Sequence, residues 1–273
     1  MKLINVLVIT LLCFIPLNQA VAAPEKEYWK FWDKSDESSN VVPSHADWQH
    51  FLDRYVRFSD STKMHMVLYG TVSREEYGRL QGYLSRMARM DPRSLPKKEQ
   101  LAYWINLYNA LTVDLILRNY PIKSITKLGK GWFRTGPWED EVIVIQDKSL
   151  SLSDIEHRIL RPLWNDSRIH YAINCASIGC PDLSPIVYRS GDIDDQLDEA
   201  GKRFINQTKG ANFVGGRLLL SKIFEWYSRD FGGSESVWKE LMKYAGPELR
   251  KRLERYKGGI SYHYNWKLNE YRR

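Results

Sequence analysis

Cysteine is scarce in this chain, and several spacings typical of reactive sites are missing with it. Only three of the 273 residues are cysteines: Cys13, Cys175 and Cys180. No Cys-x-x-Cys pair occurs, and no predicted helix carries two histidines four residues apart, so the common zinc-binding spacings are absent. No Gly-x-Ser-x-Gly sequence is present either, which argues against a serine nucleophile on a strand-to-helix elbow.

Apolar runs of membrane-spanning length are also absent after the N-terminus. The first residues, MKLINVLVITLLCFIPLNQAVAA, place Lys2 before an apolar run and end in the small-x-small sequence Ala20-Val21-Ala22. This pattern predicts a cleaved signal peptide over residues 1–22, because the apolar run is too short for a membrane span. Leu12 precedes Cys13 where a lipoprotein signal would have a small residue. We therefore expect a periplasmic or secreted protein with no transmembrane segment.

Charge and aromatic content limit the expected partners. The formal net charge is +7, and removal of residues 1–22 would remove one positive charge, that of Lys2. Nucleic acid is not expected as a partner outside the cytoplasm, whereas a modest positive charge suits anionic envelope polymers or lipid headgroups. Ten tryptophans and sixteen tyrosines either fill the core or line a groove for carbohydrate or peptide. The expected partner is a cell-envelope polymer or peptide, with no cofactor.

Helical patterns outnumber strand patterns along the rest of the chain. Residues 23–43 mix charges with Ser and Pro, which is typical of a flexible lead-in, and no internal repeat follows. Residues 44–273 are expected to form one helix-rich α+β domain with a small, mostly antiparallel sheet. Its strands are predicted by alternation, or by a Gly-Gly turn, in four segments: EVIVIQ, RIHYAIN, GISYHYNW and the hairpin NFVGGRLLL.

One helix is predicted to be buried on every side. It lies in SLPKKEQLAYWINLYNALTVDLILRNYP, where Ser94 is expected to cap it and Pro96 to occupy its first turn. Asn106 and Asn109, one turn apart, then point into protein. A buried amide without partners costs about 1–3 kcal/mol, so both must be hydrogen-bonded. They either tie down neighbouring backbone or orient a catalytic group or ligand.

Two capping-box sequences predict helix starts. The first is Ser73 with Glu76, and the second is Ser153 with Glu156. Glu156 therefore has two interpretations, as a capping residue or as a catalytic carboxylate. The predicted strand RIHYAIN follows this second helix and leads into a loop over residues 175–188 that carries both remaining cysteines.

Several segments together resemble a known family. YWINLYNALTV, LSLSDIEHRIL, RIHYAINCASIGCPDL, KIFEWYSRDFG and YHYNWKLN occur in this order, and the chain is similar, over about residues 95–269, to the family named "domain of unknown function 547". The family has no established activity, so the resemblance implies positions rather than a mechanism. In some eukaryotic members a small residue matches Cys180, which implies that a Cys175–Cys180 disulfide is not common to the family. The matching residues are Trp104, Asn106, Tyr108, Asn109, Glu156, His157, His170, Cys175, Ser177, Pro181, Trp226, Tyr227 and Asp230.

The stretch HYAINCASIGCPDL allows three chemistries. In a disulfide, the four residues between Cys175 and Cys180 permit the ~5.5 Å Cα separation of a bridge, and an oxidising compartment favours it. In a metal site, His157 and His170 would join the two cysteines as nitrogen and sulfur ligands, but the spacing is not that of a zinc motif. No metal is therefore expected at this site, and the third chemistry is nucleophilic catalysis.

As a nucleophile, Cys175 would need a base within hydrogen-bond reach and a group to orient that base. His157 is the preferred base. On a strand of ~3.3 Å per residue, His170 would lie about 16 Å from Cys175. Either core asparagine or Glu156 would orient the imidazole ring. Ser177 and the aromatic residues matched by the family are the candidate binding residues, namely Trp104, Tyr108, Trp226 and Tyr227.

Two classes of function remain open from the sequence. One is a thiol-dependent hydrolase of amide or ester bonds in the cell envelope, which uses the pair Cys175 and His157. The other is a non-catalytic envelope binding or scaffold domain with a structural Cys175–Cys180 disulfide, which does not require that pair.

Overall fold

A computed structural model describes residues 24–129 and 136–271 of the chain. The predicted signal peptide lies outside the described residues. Within them, the fold is α+β and rich in helix, as expected. Its α-helices are α1 Ala46–Tyr55, α2 Arg74–Arg89, α3 Lys97–Arg118, α4 Arg161–Trp164, α5 Ile169–Ala172, α6 Ile193–Asn206, α7 Ile223–Trp226, α8 Ser234–Tyr244 and α9 Pro247–Arg255. A π-helix, Asp154–Leu160, runs directly into α4.

The strands form three small sheets among the described residues. They are β1 Val56–Ser59, β2 Met64–Val67, β3 Glu141–Ile145, β4 Lys148–Ser151, β5 Ala211–Val214, β6 Arg217–Ser221 and β7 Ile260–His263. β1–β2, β3–β4 and β5–β6 are antiparallel pairs, and β7 adds to β6 in parallel. Gly215 and Gly216 form the predicted β5–β6 turn with φ of 55° and 78°, which glycine adopts without strain. The expectation of mostly antiparallel strands is confirmed.

Helix α3 is the centre of the larger core. Every residue from Glu99 to Ile116 is buried, which confirms the prediction made from its all-round apolar pattern. The predicted cap is wrong: Pro96 precedes the helix without a side-chain cap, and Ser94 belongs to the separate 3-10 turn Pro92–Ser94, whose start is capped by Asp91. The Asp91-Pro92 sequence forms its own turn, and Ser94 lies two residues before the N-cap position of α3, which Pro96 occupies.

The segment before residue 44 contributes to the same core. Trp32 is only 1% exposed and packs edge-on against Trp104 at 5.2 Å between ring centroids. The backbone N–H groups of Glu27 and Trp29 donate to His157 and Arg158 carbonyl oxygens. The packed domain therefore starts before residue 44, where the sequence places its boundary. Trp32 lies in a charged, Ser-containing segment, and only its tertiary contacts bury it.

The predicted strand RIHYAIN is wrong, since residues Ile169–Ala172 form the short helix α5. Asp166 starts this turn by accepting hydrogen bonds from the N–H groups of Arg168 and Ile169. All four side chains of α5 are buried, so the alternation of residue types does not correspond to an alternation of exposure.

The cysteine loop pairs with the C-terminal segment of the chain. Ser177 forms an isolated antiparallel bridge with Leu268, and the N–H groups of Ile178 and Gly179 donate to Lys267 and Asn265 carbonyl oxygens. A Cβ at Gly179 would lie 2.7 Å from the Asn265 nitrogen. The close approach of these two backbones requires glycine and brings Tyr264 to the thiols.

Candidate functional site

Cys175 and Cys180 are both free thiols in the structure. The disulfide interpretation is wrong for this conformation, because the loop turns the Cys180 sulfur onto the backbone: the N–H of Cys175 donates to Cys180 Sγ at 2.9 Å. Cys180 is buried, whereas Cys175 is partly exposed. Of the two cysteines, Cys175 is therefore the more exposed residue.

The Cys175 sulfur forms a triangle with two side-chain oxygens. Its Sγ is 3.0 Å from the Tyr264 hydroxyl and 3.2 Å from Ser177 Oγ, and Ser177 Oγ donates to Tyr264 at 3.0 Å. Burial raises the pKa of Cys175, but hydrogen bonds from Cys180, Ser177 and Tyr264 outweigh it, so its pKa lies below the ordinary value. Burial, together with the neighbouring Cys175, raises the pKa of the Cys180 thiol well above its ordinary value. The site thus contains one thiol with a lowered pKa and one with a raised pKa.

Asparagine side chains hold the loop that presents Cys175. Asn109 donates to the Ala172 carbonyl at 2.9 Å and accepts from the Asn174 N–H at 2.8 Å. The Asn174 side chain donates to Pro181 O at 2.6 Å and accepts from the Ala176 N–H at 2.9 Å. Ala176 adopts φ of 57°, a left-handed conformation that a non-glycine residue holds only when its surroundings enforce it. The loop is therefore rigidly held on both sides of the thiol.

Asn106 performs a similar backbone role away from the thiol. Its amide donates to Tyr188 O at 2.8 Å and accepts from the Tyr188 N–H at 3.0 Å. Both core asparagines therefore hydrogen-bond to backbone groups, which is the first of the two roles that the sequence allows. Asn109 acts on the cysteine loop itself, and Asn106 acts on the segment that follows it.

A buried charge network lies behind the thiol, built on the π-helix Asp154–Leu160. The predicted capping box at Ser153 is wrong: Ser153 makes no capping hydrogen bond. The reciprocal bonds belong to Ser151 and Asp154, where Ser151 Oγ accepts from the Asp154 N–H and Asp154 Oδ2 accepts from the Ser151 N–H. With the cap two residues earlier, Glu156 is released from capping and points into the protein.

Glu156 is a buried carboxylate surrounded by donors. Tyr108 donates to its Oε2 at 3.1 Å. Burial raises the pKa of Glu156, but His157, His170 and a hydrogen bond from Tyr227 outweigh it and hold the pKa below its ordinary value. Its negative charge in turn opposes ionisation of Cys175. Glu156 is therefore ionised and close enough to the thiol to affect it electrostatically.

His157 belongs to this network rather than to the thiol. Its Nδ1 accepts from Arg161 at 2.9 Å, since a guanidinium can only donate. Burial is the largest of the influences that lower the pKa of His157. No hydrogen bond between His157 and Cys175 is found in the part of the chain that the structure describes. The expected imidazolium partner of Cys175 is thus replaced by a neutral imidazole held by Arg161.

His170 takes part in the network although its predicted strand geometry had placed it out of reach. Because α5 is helical, the His170 ring stacks on Tyr227 at 3.8 Å between centroids. The Nε2 atom of His170 lies 2.7 Å from Asp230 Oδ2. Arg161 donates to the same carboxylate at 2.7 Å, and Lys26 lies 3.2 Å from its other oxygen. Asp230 therefore links the N-terminal segment, α4 and α5.

Partly exposed aromatic rings flank Cys175. Tyr264 lies 4.5 Å from Trp266 and 4.8 Å from Trp226 between ring centroids, and Trp138 lies 6.3 Å from Trp266. Trp226 is thus one of the predicted binding residues that lies beside the thiol. Two others are internal: Trp104 is 1% exposed and packs in the core, and Tyr108 is 2% exposed and bonded to Glu156.

Sequence reasoning missed Tyr264 and Trp266 as site residues. The available signal was the density of aromatic residues in YHYNW, which the alternation argument assigned only to a strand. Within residues 24–129 and 136–271, no group of three or more His, Cys, Asp or Glu side chains is arranged to hold a metal. Among the same residues, no helix is both long and apolar enough to cross a membrane.

The fold and site define an α+β domain in which a partly exposed cysteine lies close to a buried charge network. Residues 92–205 match the model of the family described as "Protein of unknown function, DUF547". The chain thus resembles this family over α3, the π-helix and the cysteine loop, a shorter range than the sequence motifs suggest. Trp226, Asp230 and Tyr264 lie beyond the matched residues. No curated protein and no solved structure matches the chain.

Proposed function

We propose that this protein is a thiol-dependent hydrolase of amide or ester bonds and that Cys175 is its nucleophile. The observation that carries the proposal is the Cys175 thiol, in a partly exposed residue, which lies within 3.0–3.2 Å of the Tyr264 and Ser177 hydroxyls and has a lowered pKa. A thiolate is the reactive form of cysteine, and hydrogen-bond donors that stabilise it raise its population at neutral pH. The held loop fixes the direction of attack.

The reaction would proceed through a thioester. The Cys175 sulfur forms a bond to the carbonyl carbon, the bond from that carbon to the leaving nitrogen or oxygen breaks, and the leaving group takes a proton from solvent. Water then adds to the thioester carbon and the carbon–sulfur bond breaks. The carboxylic acid leaves, the thiolate is restored and one proton returns to solvent, which balances the proton taken up by the leaving group, so no oxidant, reductant or further reactant is consumed.

Other residues have supporting roles in this proposal. Tyr264 donates to the thiolate, Ser177 donates to the Tyr264 hydroxyl, and Asn109 positions the loop. His157, Glu156, His170 and Asp230 form a fixed buried framework. This arrangement assigns His157 no proton transfer with Cys175, because no hydrogen bond joins the two residues in the described part of the chain and His157 Nδ1 accepts from Arg161 instead.

The hydrolase is proposed to act in the cell envelope on a polymer or peptide. The support is the signal-peptide pattern of residues 1–22 together with the aromatic rings beside the thiol. Intact-mass analysis of envelope material is expected to show a chain that begins at Ala23. Full-length chain recovered only from the cytoplasm would contradict this location.

A non-catalytic binding domain is the second candidate, and the cluster of Trp138, Trp226, Tyr264 and Trp266 favours it. Four contiguous, partly exposed rings can bind a ligand without any chemistry at the thiol. This candidate predicts ligand binding that survives replacement of Cys175 by alanine, without turnover in any variant.

Alkylation and acylation separate the two candidates. The reduced protein is treated with iodoacetamide across a pH series, and separately with p-nitrophenyl acetate, while intact mass is followed. We expect one thiol to react with a pKa below about 8.5, and one acetyl group to be gained and then lost at Cys175. Cys175→Ala abolishes both effects, whereas Cys180→Ser is the matched control and retains them. A Cys175 thiol that is inert at every pH overturns the hydrolase proposal.

A further inference from the structure

The far end of the β5–β6–β7 sheet carries a second surface that the thiol site does not use. We propose that this surface binds an anionic lipid bilayer. We call it the basic end, and it consists of the β5–β6 turn, the start of β7 and the exposed side of α9. Its cations are Arg217, Lys251, Arg252, Arg255 and Lys257, all exposed.

The parts of the basic end are held together by direct contacts. Arg252 lies over the Phe213 ring at 4.1 Å, and Tyr256 packs edge-on against the same ring at 5.2 Å between centroids. The Tyr256 hydroxyl accepts from the Leu218 N–H and donates to the Gly259 carbonyl. Helix α9 is therefore fixed against the end of the sheet, and its cations form one surface with those of the hairpin.

These cations are not neutralised by the rest of the protein. Among the residues that the structure describes, none of the five forms an ion pair within 4.0 Å. The two carboxylates of α9, Glu248 and Glu254, are exposed and likewise unpaired. Positive charge exceeds negative charge on this surface, and cations near an anionic leaflet attract it additively.

Exposed apolar side chains lie among the cations. They favour a bilayer over a soluble polyanion as the ligand of this surface. Val214 is 55% exposed and Ile260 is 40% exposed. Cα pairing places Val214 opposite Arg217, and Ile260 opposite the adjacent Leu218. A Cβ at Gly215, Gly216 or Gly259 would meet nothing within 4 Å, so this end projects into open space. Apolar tips between cations can enter the headgroup region while the cations contact phosphates.

This surface also determines where the thiol would act. β7 runs from Ile260 at the basic end to His263, and Tyr264 follows beside Cys175. Four residues of strand span about 13 Å. A bilayer bound at Val214 and Ile260 would therefore hold the thiol site a short distance above the headgroups. The proposed membrane contact itself does not depend on Cys175 chemistry.

Vesicle flotation of the full chain tests the proposal. Vesicles of phosphatidylcholine alone are compared with an equal mixture of phosphatidylcholine and phosphatidylglycerol. We expect binding only to the mixed vesicles, and a loss of more than about tenfold in the combined variant Lys251→Gln, Arg252→Gln, Arg255→Gln and Lys257→Gln. Val214→Ser with Ile260→Ser is expected to weaken binding with the charge unchanged.

The matched control removes four exposed cations elsewhere, in Lys30→Gln, Lys34→Gln, Arg74→Gln and Arg89→Gln. It is expected to bind the mixed vesicles as the unmodified protein does. Equal losses in both four-charge variants would show only a net-charge effect and overturn the proposal. So would retention on a soluble anionic polysaccharide without any binding to the mixed vesicles. Alkylation of Cys175 in each variant reports separately on the thiol site, so failure of one proposal is distinct from failure of the other.

Discussion

The Tyr264 hydroxyl lies 3.0 Å from Cys175 Sγ, although the two residues are 89 positions apart in the chain. Burial, followed by the nearby thiols, raises the pKa of Tyr264 well above its ordinary value, so its hydroxyl is neutral and able to donate. A tyrosine donor beside a partly exposed thiol gives that thiol a different environment from the imidazole partner that the sequence suggests. The predictions below follow from this contact and from the framework around it.

Tyr264→Phe is expected to raise the pKa of Cys175. The variant removes one hydrogen-bond donor to the thiolate and keeps the aromatic ring that packs on Trp266. Such a bond to a charged group is worth about 1.5 kcal/mol or more, so alkylation at neutral pH should slow by roughly tenfold. Iodoacetamide rates against pH measure this. Tyr262→Phe in β7 is the control, and an unchanged titration in Tyr264→Phe would contradict the assigned donor.

Asn109→Leu and Asn106→Leu should separate loop positioning from general stability. Each variant leaves two buried backbone partners unsatisfied and is expected to lower the free energy of unfolding by about 1–3 kcal/mol. Only Asn109 bonds to Ala172 and Asn174 beside the thiol, so only Asn109→Leu should also slow alkylation of Cys175. Urea denaturation and alkylation rates are measured on both variants. Denaturation midpoints equal to those of the unmodified protein would show that these amide bonds contribute nothing.

Gly179→Ala is expected to separate the cysteine loop from the C-terminal segment. Its Cβ would lie 2.7 Å from the Asn265 nitrogen and 3.0 Å from the Tyr264 ring. Overpacking of this kind costs about 1–3 kcal/mol, and displacement of Tyr264 should slow alkylation of Cys175. Gly78→Ala is the matched control, because nothing lies within 4 Å of its Cβ in α2. It should be neutral or stabilise by up to about 1 kcal/mol. Equal behaviour of the two variants would rule out a tight contact at Gly179.

Asp230→Asn should change the pH dependence of stability. Burial raises the pKa of Asp230, but His170 and Arg161 outweigh it and hold the pKa well below its ordinary value. A depressed carboxyl pKa stabilises the folded state above the unfolded value of about 3.9 and loses that contribution as the pH falls towards the folded value. Removing the charge also leaves the buried Arg161 without its ion-pair partner, at a cost of about 3–5 kcal/mol near neutral pH.

Denaturant unfolding of Asp230→Asn from about pH 7 to about pH 3 measures both effects. The variant should be less stable at neutral pH and should lose less stability on acidification than the unmodified protein. Asp60→Asn is the control, because the Asp60–Lys63 pair is exposed and such pairs contribute little. If acidification lowers the free energy of unfolding equally in Asp230→Asn and in the unmodified protein, the depressed pKa of Asp230 is contradicted.

Local sequence signals determined much of this fold. The all-round apolar pattern of α3 predicts its burial, and burial requires Asn106 and Asn109 to find hydrogen-bond partners, although the pattern does not say which partners. The Ser73–Glu76 box and the Gly215-Gly216 turn are equally local. Ser73 Oγ accepts from the Glu76 N–H, and the two glycines connect β5 to β6. In the Ser73–Glu76 box and the Gly215-Gly216 turn, the interacting groups lie within one helical turn or across one hairpin, where spacing alone fixes the geometry.

Tertiary structure decided what those local signals left open. Ser151 and Ser153 both stand near a helix start, and only the packing of the π-helix selected Ser151 as the cap and directed Glu156 inward. The alternation in RIHYAIN fits a strand or a buried turn, and Asp166 selected the turn that brings His170 to Asp230. The Cys175–Tyr264 contact depends on pairing between two segments distant in the chain. No periodicity encodes such a pairing, because its energy comes from groups that meet only after the chain has folded.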